Sequence, residues 1–169
     1  MDAHTTKAWF AVYVKSRTEK KVAVEFQKSG IDYFLPLIKE LRQWSDRKKW
    51  VEVPLFRSYI FVQIEPKDYF KVLQITGVSR YITFEGKAVA IPVQQIEAIR
   101  YFLDDEQLET NEDLFWEKGT KVEIISGSLA GLKGELVEVK GKHKINVEIE
   151  AVGKTILIEI KKNKTRAIS

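Results

Sequence analysis

Apolar positions divide the chain into two parts with different periodicity. In the first part, residues 9–14 form a continuous apolar run of strand length, which predicts a strand buried on both faces. Val22, Ala23 and Phe26 then share one helical face, and Gly30 is placed to end that helix. Strand and helix periodicities therefore alternate near the start of the chain.

The start of this first helix carries a candidate cap. Ser16 and Glu19 have the spacing of a capping box, in which the serine oxygen accepts from the Glu19 amide and the glutamate reaches back. We therefore expect the helix to begin directly after Ser16.

Further elements follow from apolar runs and turn residues. A short strand, a long polar hairpin and the strongest apolar strand of the chain are predicted at residues 33–35, 37–53 and 55–64. A short helix between Pro66 and Gly77, a hairpin across 85–87 and a third helix from Pro92 complete this part. The order predicts an α+β sandwich with one antiparallel sheet and three helices.

From residue 119 onward the chain is punctuated by glycine and alternates apolar with polar positions. The alternating groups are Val122/Ile124, Val137/Val139, Ile145/Val147/Ile149 and Ile156/Ile158/Ile160. A period of two, repeated over short segments, predicts a small β-barrel.

Composition excludes several classes of site. The chain has 169 residues, no cysteine and two histidines, His4 and His143. It therefore has no disulfide, thiolate metal site or cysteine nucleophile, and little with which to build histidine-based catalysis. No glycine loop has the residues that cradle a nucleotide phosphate. We expect no enzyme, no cofactor and no metal site.

Neither a membrane-spanning helix nor a secretion signal is predicted. No apolar stretch approaches the roughly 20 residues that span a bilayer, and no basic start precedes an apolar segment with a cleavage site. We expect a soluble, cytoplasmic, monomeric protein that makes no contact with membranes.

Charge is arranged in three blocks, which the total net charge of +4 conceals. Residues 1–103 carry a net charge of +6, residues 104–118 carry −6, and residues 119–169 carry +4. The acidic block is poor in apolar residues and suits a solvated linker between two domains; the alternative is an exposed helix end that runs into a loop. The basic blocks weakly favour an anionic partner.

Two groups of short motifs lie in order along the chain. The first group is WFAVY, RTEKKV, YFLP and VPLFRSYIFV at residues 9–13, 17–22, 33–36 and 53–62, and the second is GTKVEIISGSLAGLKG at 119–134. Together they resemble the NusG family of transcription elongation factors. The resemblance implies an NGN domain at 1–103, an acidic linker at 104–118 and a KOW domain at 119–169, the last a small five-stranded SH3-like barrel.

The hairpin sequence at 42–50 resembles the specialised UpxY-type paralogues, which act as antiterminators on surface-polysaccharide operons in bacteria. Two departures from the general family pattern accompany it. Arg57-Ser58 stands where the family usually has Pro-Gly, and because serine lacks the conformational freedom of glycine we expect this turn to differ. Val152 replaces an aromatic residue, which weakens the expectation that the chain binds Rho.

The resemblance implies that the NGN domain binds the clamp helices of the largest RNA polymerase subunit. Such binding needs an apolar concavity with aromatic anchors. Phe56 and Tyr59 match the family's positions, and Trp9, Tyr81 and Phe84 are added from their place on neighbouring predicted strands. Burial in the sandwich core is the alternative for all five rings.

Two basic groups are candidates for nucleic-acid binding. They are Lys15, Arg17, Lys20 and Lys21 at the start of the first helix, and Arg42, Arg47, Lys48 and Lys49 on the hairpin, beside Trp44 and Trp50. Bases stack on such rings while cations hold phosphates. The resemblance implies contact with the non-template DNA strand; a solvated helix face and a charged hairpin are the alternative.

A third candidate surface lies on the KOW domain, where Val152, Lys142 and Lys144 could bind a ribosomal protein or RNA. Lys142, His143 and Lys144 are expected in one turn, which as a solvated turn would have no partner. The leading hypothesis is a transcription elongation and antitermination factor. The alternatives are a ribosome- or RNA-associated protein that uses the KOW barrel, and a free-standing single-strand DNA binder.

Overall fold

The computed structural model describes residues 6–104, 119–139, 142–159 and 165–168. The chain divides into two compact units, Met1–Ile91 and Pro92–Ser169. The predicted domain boundaries near 103 and 118 stay predictions, and all of the predicted linker except Asp104 lies outside the described residues. None of the helices in these ranges is long and apolar enough to span a membrane.

The first unit combines strands with two α-helices and one short 3₁₀ turn at Pro66–Asp68. Its elements, in chain order, are β1 Ala8–Val14, α1 Glu19–Lys28, β2 Asp32–Phe34, β3 Leu37–Gln43, β4 Lys48–Pro54, β5 Tyr59–Ile64, α2 Tyr69–Leu73, β6 Val78–Tyr81, β7 Thr83–Phe84, β8 Lys87–Ala88 and β9 Ala90–Ile91. The main sheet has the order β2-β5-β1-β6, with β9 also paired to β1, and every pairing is antiparallel. The predicted central position of the first strand is confirmed.

One face of this sheet, called the helix face below, packs against both helices. Its core consists of Val12, Val14, Val22, Phe26, Ile31, Ile60, Val62, Ile64, Val72 and Tyr81. Val22 and Phe26 come from α1, and Val72 comes from α2. Burial of these side chains, worth about 1.5–3 kcal/mol for each large one, holds the helices on the sheet.

The predicted capping box is wrong. Helix α1 begins at Glu19 after Thr18, and no side-chain hydrogen bond caps it. Glu19 therefore occupies the first helical position instead of the third, so it cannot reach back to the Ser16 amide as the motif requires. Arg17 adopts a φ of +65°, which turns the chain sharply just before the helix.

The strand predicted over 55–64 begins later than expected, at Tyr59. Ser58 precedes it with a φ of +68°, a left-handed conformation that interrupts extended backbone. The predicted hairpin across 85–87 forms only a short ribbon of β7 with β8. Its two central residues, Glu85 and Gly86, both have positive φ, as a tight two-residue hairpin turn requires.

The second unit contains α3 Val93–Asp104 and a five-stranded antiparallel sheet. Its strands are β10 Lys121–Ile124, β11 Lys133–Val139, β12 Lys142–Ile149, β13 Lys154–Glu159 and β14 Thr165–Ala167, in the order β13-β12-β11-β10-β14. The hydroxyl of Tyr101 on α3 donates to the Glu159 carbonyl at 3.1 Å. The predicted α+β class, with antiparallel sheets, three helices and a strand-rich second part, is confirmed.

Two details of the second unit differ from the sequence prediction. Residues 142–144 belong to strand β12 and not to a turn, because they pair with β11 and Lys144 also pairs with β13. The last strand, β14, was not among the predicted alternating segments, since its three residues are too few to show a period of two.

Candidate functional site

The face of the first sheet opposite to the helices is rich in aromatic residues. Strand register places Tyr13 beside Tyr59 and Phe34 beside Phe61. Ala11 also pairs with Phe61, and Trp9 lies two residues before Ala11 on the same strand, so Trp9 faces the same side. Alternate residues of a strand point to opposite sides of a sheet, so these five rings share one side. This set, together with Phe56, is called the aromatic face below.

Ring contacts join most of the aromatic face into one chain. Trp9 meets Phe34 edge-on at 6.5 Å between centroids, Phe34 stacks on Phe61 at 6.2 Å, and Phe56 meets Phe61 edge-on at 6.0 Å. Each such contact contributes about 0.5–1.5 kcal/mol beyond the area that it buries. The turn before β5 thus places Phe56 directly against the sheet.

A second pair of rings lies towards the other end of the same face. Tyr13 and Tyr59 meet edge-on at 5.6 Å, and the guanidinium of Arg80 lies 5.3 Å from the Tyr13 ring centroid. Such a cation over a ring is attracted by the electrons of its face. The aromatic face therefore carries positive charge and hydroxyl groups beside its apolar part.

Exposure separates the predicted polymerase-binding residues. Trp9 is 7% exposed and Phe56 is 3% exposed, which agrees with the alternative of core packing for these two. Tyr59 is half-buried, as are Tyr13 and Phe34. Phe84 is 71% exposed on the β7–β8 ribbon. The three half-buried rings offer the accessible part of the aromatic face.

Tyr81 does not lie on the aromatic face. It pairs with Val12 on the helix face, its ring stacks on Tyr69 at 4.2 Å, and its hydroxyl donates to the Tyr69 carbonyl at 2.8 Å. Burial raises the pKa of Tyr81 well above its ordinary value. Placing Tyr81 with Trp9 and Phe56 was wrong in geometry, because the neighbouring Arg80 takes the position that faces their side.

The turn that precedes β5 has a specific support. The Ser58 N–H donates to Oε1 of Glu19 at 3.0 Å, and the Ser58 carbonyl accepts from the Val14 N–H at 2.8 Å. Ser58 adopts the left-handed conformation that glycine adopts most readily. Serine therefore forms this turn without glycine, and the expected difference from the family's usual turn stays a prediction.

Both basic groups lie on the surface. Both groups are exposed throughout: Lys15, Arg17, Lys20 and Lys21 in the first, and Arg42, Arg47, Lys48 and Lys49 in the second. The first group surrounds the N-terminus of α1, where the carboxylate of Glu19 already complements the helix dipole. The second group lies on the two-stranded ribbon that β3 and β4 form with each other.

The β3–β4 ribbon has two distinct sides. Register places Arg42 opposite Lys49 on one side, and Leu41 opposite Trp50 on the other. Trp50 is 63% exposed, and the guanidinium of Arg47 lies 5.8 Å from the ring centroid of Trp44. The ribbon thus combines exposed rings with cations, while a carboxylate of Glu40, 3.7 Å from Arg42, offsets part of the charge.

The predicted partner-binding residues of the second unit are not equally accessible. Val152 is only 7% exposed, inside the short turn before Gly153, so its side chain offers little surface. Lys144 is half-buried on β12, and the side chain of Lys142 lies outside the described residues. Of the two whose side chains are described, Lys144 is the more accessible to a partner.

Sequence reasoning missed Phe34 on the aromatic face and the exposed Phe70, which lies on α2 outside that face. Phe34 links Trp9 to Phe61, and its position follows from the alternation in the short strand at 33–35 once the register with β5 is known. Phe70 on α2 is 71% exposed, consistent with the inward positions expected for its neighbours Tyr69 and Val72. Within the described residues, no cluster of acidic or histidine side chains could hold a metal ion.

Comparison with known proteins identifies the family. The family model described as transcription termination factor NusG matches residues 7–100, more than half of the chain. The chain belongs to the NusG family. Membership supports a general role in transcription termination and antitermination, and NusG-family relatives are transcription factors and not enzymes.

Relatives of known sequence and structure agree with this assignment. The transcription termination/antitermination protein NusG of Rickettsia felis is 24% identical over 174 residues, covering 95% of this chain and 90% of that protein. A solved structure of NusG from Thermotoga maritima has a TM-score of 0.53 at 21% identity, covering 96% of this chain and 98% of that one, which supports a NusG-like fold. A chain of the MjSpt4:Spt5 complex is 22% identical, covers 95% of this chain and 97% of that one, and its TM-score of 0.33 carries no weight for the fold.

Proposed function

We propose that this NusG-family chain is a bacterial elongation and antitermination factor that binds RNA polymerase through its aromatic face. The observation that carries the proposal is the half-buried Tyr13–Tyr59 pair on one side of the first sheet, with the Arg80 guanidinium against the Tyr13 ring. Half-buried Phe34 extends this surface, and the buried rings Trp9 and Phe61 support Phe34 from below. Aromatic residues dominate the energetics of protein interfaces that receive a helix. The proposed partner is the pair of clamp helices in the largest polymerase subunit.

Exposure assigns different roles to the rings. Tyr59 is half-buried beside Tyr13 and Arg80, so we assign direct contact with the partner to this group. Phe56 and Trp9 lie beneath the surface, and we assign them support of the contacting rings. Phe84, on its own ribbon, is an additional contact. Tyr81 is excluded because it packs on the helix face.

Binding to the clamp would keep the polymerase closed on its nucleic acid and suppress pausing or termination, without covalent chemistry. The hairpin resemblance to UpxY-type paralogues supports action on particular operons, those for surface polysaccharides. The second unit would bind a ribosomal protein, with Lys144 accessible. The buried Val152 supports a factor that does not bind Rho.

A second candidate function is contact with the single-stranded non-template DNA, and the β3–β4 ribbon favours it. Trp44 and Trp50 are exposed, the Arg47 guanidinium lies over the Trp44 ring, and Lys48 shares the Trp50 side of the ribbon. Lys49 lies on the other side, opposite Arg42. Aromatic platforms among cations are typical of sites that bind single strands without reading their sequence.

The test of polymerase binding is the affinity of the full chain for a purified clamp-helix fragment. Tyr59→Ala is expected to weaken binding about tenfold or more, as truncation of an aromatic anchor typically does. Phe70→Ala is the matched control, since it removes an exposed ring from α2 and should leave binding unchanged. Undiminished binding by Tyr59→Ala contradicts the assigned surface. A chain that binds purified ribosomes but does not bind polymerase supports the ribosome-associated alternative.

A further inference from the structure

Glu19 is a buried carboxylate at the first position of α1. It is 5% exposed, and its Oε1 accepts the Ser58 N–H at 3.0 Å, from a residue 39 positions later in the chain. A buried carboxylate is costly unless it is hydrogen-bonded, and a bond to a charged acceptor is stronger than one between neutral groups. Glu19 therefore ties the start of α1 to the turn before β5.

The tie holds the backbone of Ser58 in an unfavourable conformation. A φ of +68° brings Cβ of a residue other than glycine close to the backbone, so Ser58 would favour negative φ if it were free. The Glu19 carboxylate accepts the Ser58 N–H, and the Val14 N–H donates to the Ser58 carbonyl at 2.8 Å. Loss of the first bond leaves the peptide group before Ser58 without its partner on α1.

The same turn carries two rings of the aromatic face. Phe56 precedes Ser58 by two residues and packs on Phe61, and Tyr59 follows it directly and packs on Tyr13. A change of φ at Ser58 would rotate the chain between these two rings. We propose that Glu19 is a positioning residue for the partner-binding surface, because its carboxylate fixes the turn that orients Phe56 and Tyr59. This inference rests on the proposed function of the aromatic face.

Native-state hydrogen exchange of the full chain tests the tie itself. In Glu19→Ala the Ser58 amide is expected to exchange about tenfold faster or more, relative to the amides of β5. Glu19→Gln keeps an acceptor oxygen and should show a smaller change. Glu25→Ala is the matched control: it removes another α1 carboxylate, one that pairs with Lys28 at the surface, and should leave Ser58 unchanged.

Should Glu19→Ala fail to fold, Glu19→Asp replaces it, because aspartate keeps the charge while its shorter side chain withdraws the carboxylate from Ser58. Equal protection of the Ser58 amide in the parent and in the Ala or Asp variant overturns the proposal.

Binding to the clamp-helix fragment tests the positioning role. Glu19→Ala is expected to weaken binding about tenfold, and Ser58→Gly in the same chain should restore much of it, because glycine adopts positive φ without the carboxylate. A purely structural role predicts no such rescue. Parent-like binding by Glu19→Ala, with Ser58 unprotected, overturns the inference. If the parent itself does not bind, the proposed function fails, while the exchange result still decides whether Glu19 holds the turn.

Discussion

Single residues in unusual backbone conformations shape the candidate surface. Arg17, Ser58 and Glu85 have positive φ, and each lies at a sharp change of chain direction. Ser58 differs from the other two in being buried, with both of its peptide groups held by distant elements. Its conformation is therefore imposed by tertiary contacts and not by local preference.

Relief of this strain gives the first prediction. Ser58→Gly should raise the free energy of unfolding by about 0.5–1 kcal/mol. The left-handed conformation costs serine about 1–2 kcal/mol, and the greater entropy that glycine gives the unfolded chain offsets only part of this gain. Urea unfolding followed by circular dichroism measures the change. Ser79→Gly in strand β6, where φ is not positive, is the control and should lower stability by about 0.5–1 kcal/mol. A destabilised Ser58→Gly chain contradicts the expectation.

The buried phenol of Tyr81 gives a prediction about pH. Because burial raises the pKa of Tyr81 in the folded chain, above pH 10 the unfolded chain loses this proton while the folded chain keeps it. The contribution of the Tyr81 hydroxyl proton to the free energy of unfolding is complete below pH 10. Above pH 10 this free energy falls by about 1.4 kcal/mol per pH unit. Tyr81→Phe should remove that part of the alkaline loss, at the cost of about 1 kcal/mol at pH 8 from the hydroxyl's hydrogen bond. Parallel stability curves for the two chains from pH 9 to 11 would disprove the assignment.

The sequence identified individual side chains of interest but not the residues that they contact in the folded chain. The sequence placed Glu19 in a capping box that does not form, whereas its actual partner, Ser58, lies 39 residues away and no local pattern reveals it. Val152 was identified from a family position, and its burial depends on how the turn before Gly153 packs. Side-chain partners that are distant in sequence are set by the tertiary fold.

At the level of elements, the β3–β4 ribbon is distinguished by its exposure. Every residue from Lys39 to Trp50 is exposed, and β3 and β4 pair with no other described strand. A ribbon that buries so little of its surface contributes little to the core, so its rings and cations are free to serve binding.

Trp50 provides the sharpest test of the ribbon. Trp50→Ala should weaken binding of a labelled oligo-dT about tenfold, because base stacking on an aromatic ring contributes about 1–3 kcal/mol. Fluorescence anisotropy measures the affinity, and Phe70→Ala, a similarly exposed ring outside the ribbon, is the control.

The cations beside the rings should act differently from Trp50. Arg47→Ala with Lys48→Ala is expected to reduce the slope of log affinity against log salt by about 1.4, from about 0.7 per lost phosphate contact on a single strand. Equal affinity of the parent and Trp50→Ala, with an unchanged salt slope in the double variant, would show that the ribbon is only a solvated hairpin.

Elements with clear apolar patterns were predicted, including the short strand β2, whereas strand β14 and the start of β5 were not. The alternation in the second unit correctly indicated four of its strands, and the apolar run at 9–14 correctly indicated the central strand. The β14 strand is too short to show a period, and β5 starts late because Ser58 leaves extended backbone. The aromatic face required the register of β2 on β5, which placed Phe34 and which no single segment contains.

At the level of the whole molecule, family membership and the rings support one function. The match to the NusG family model covers residues 7–100, which include every strand of the aromatic face. The sequence alone indicated the family. Of the five rings predicted to bind polymerase, four remain candidates for that surface or its support, and Tyr81 belongs to the core. Neighbouring residues of a strand face opposite sides of the sheet, so the sequence of β6 alone does not show which side Tyr81 faces. The pairing of Tyr81 with Val12 on β1 decides this.

The central claim is that the aromatic face binds the clamp helices of RNA polymerase. Its most direct test is site-specific photo-crosslinking of the full chain to transcribing polymerase, with a benzophenone amino acid replacing Tyr59 and, as control, Phe70. We predict a crosslink from position 59 that maps to the clamp helices of the largest subunit, and none from position 70. A crosslink to the clamp from position 70 alone, or none from position 59 in a chain that still binds polymerase, would contradict the claim.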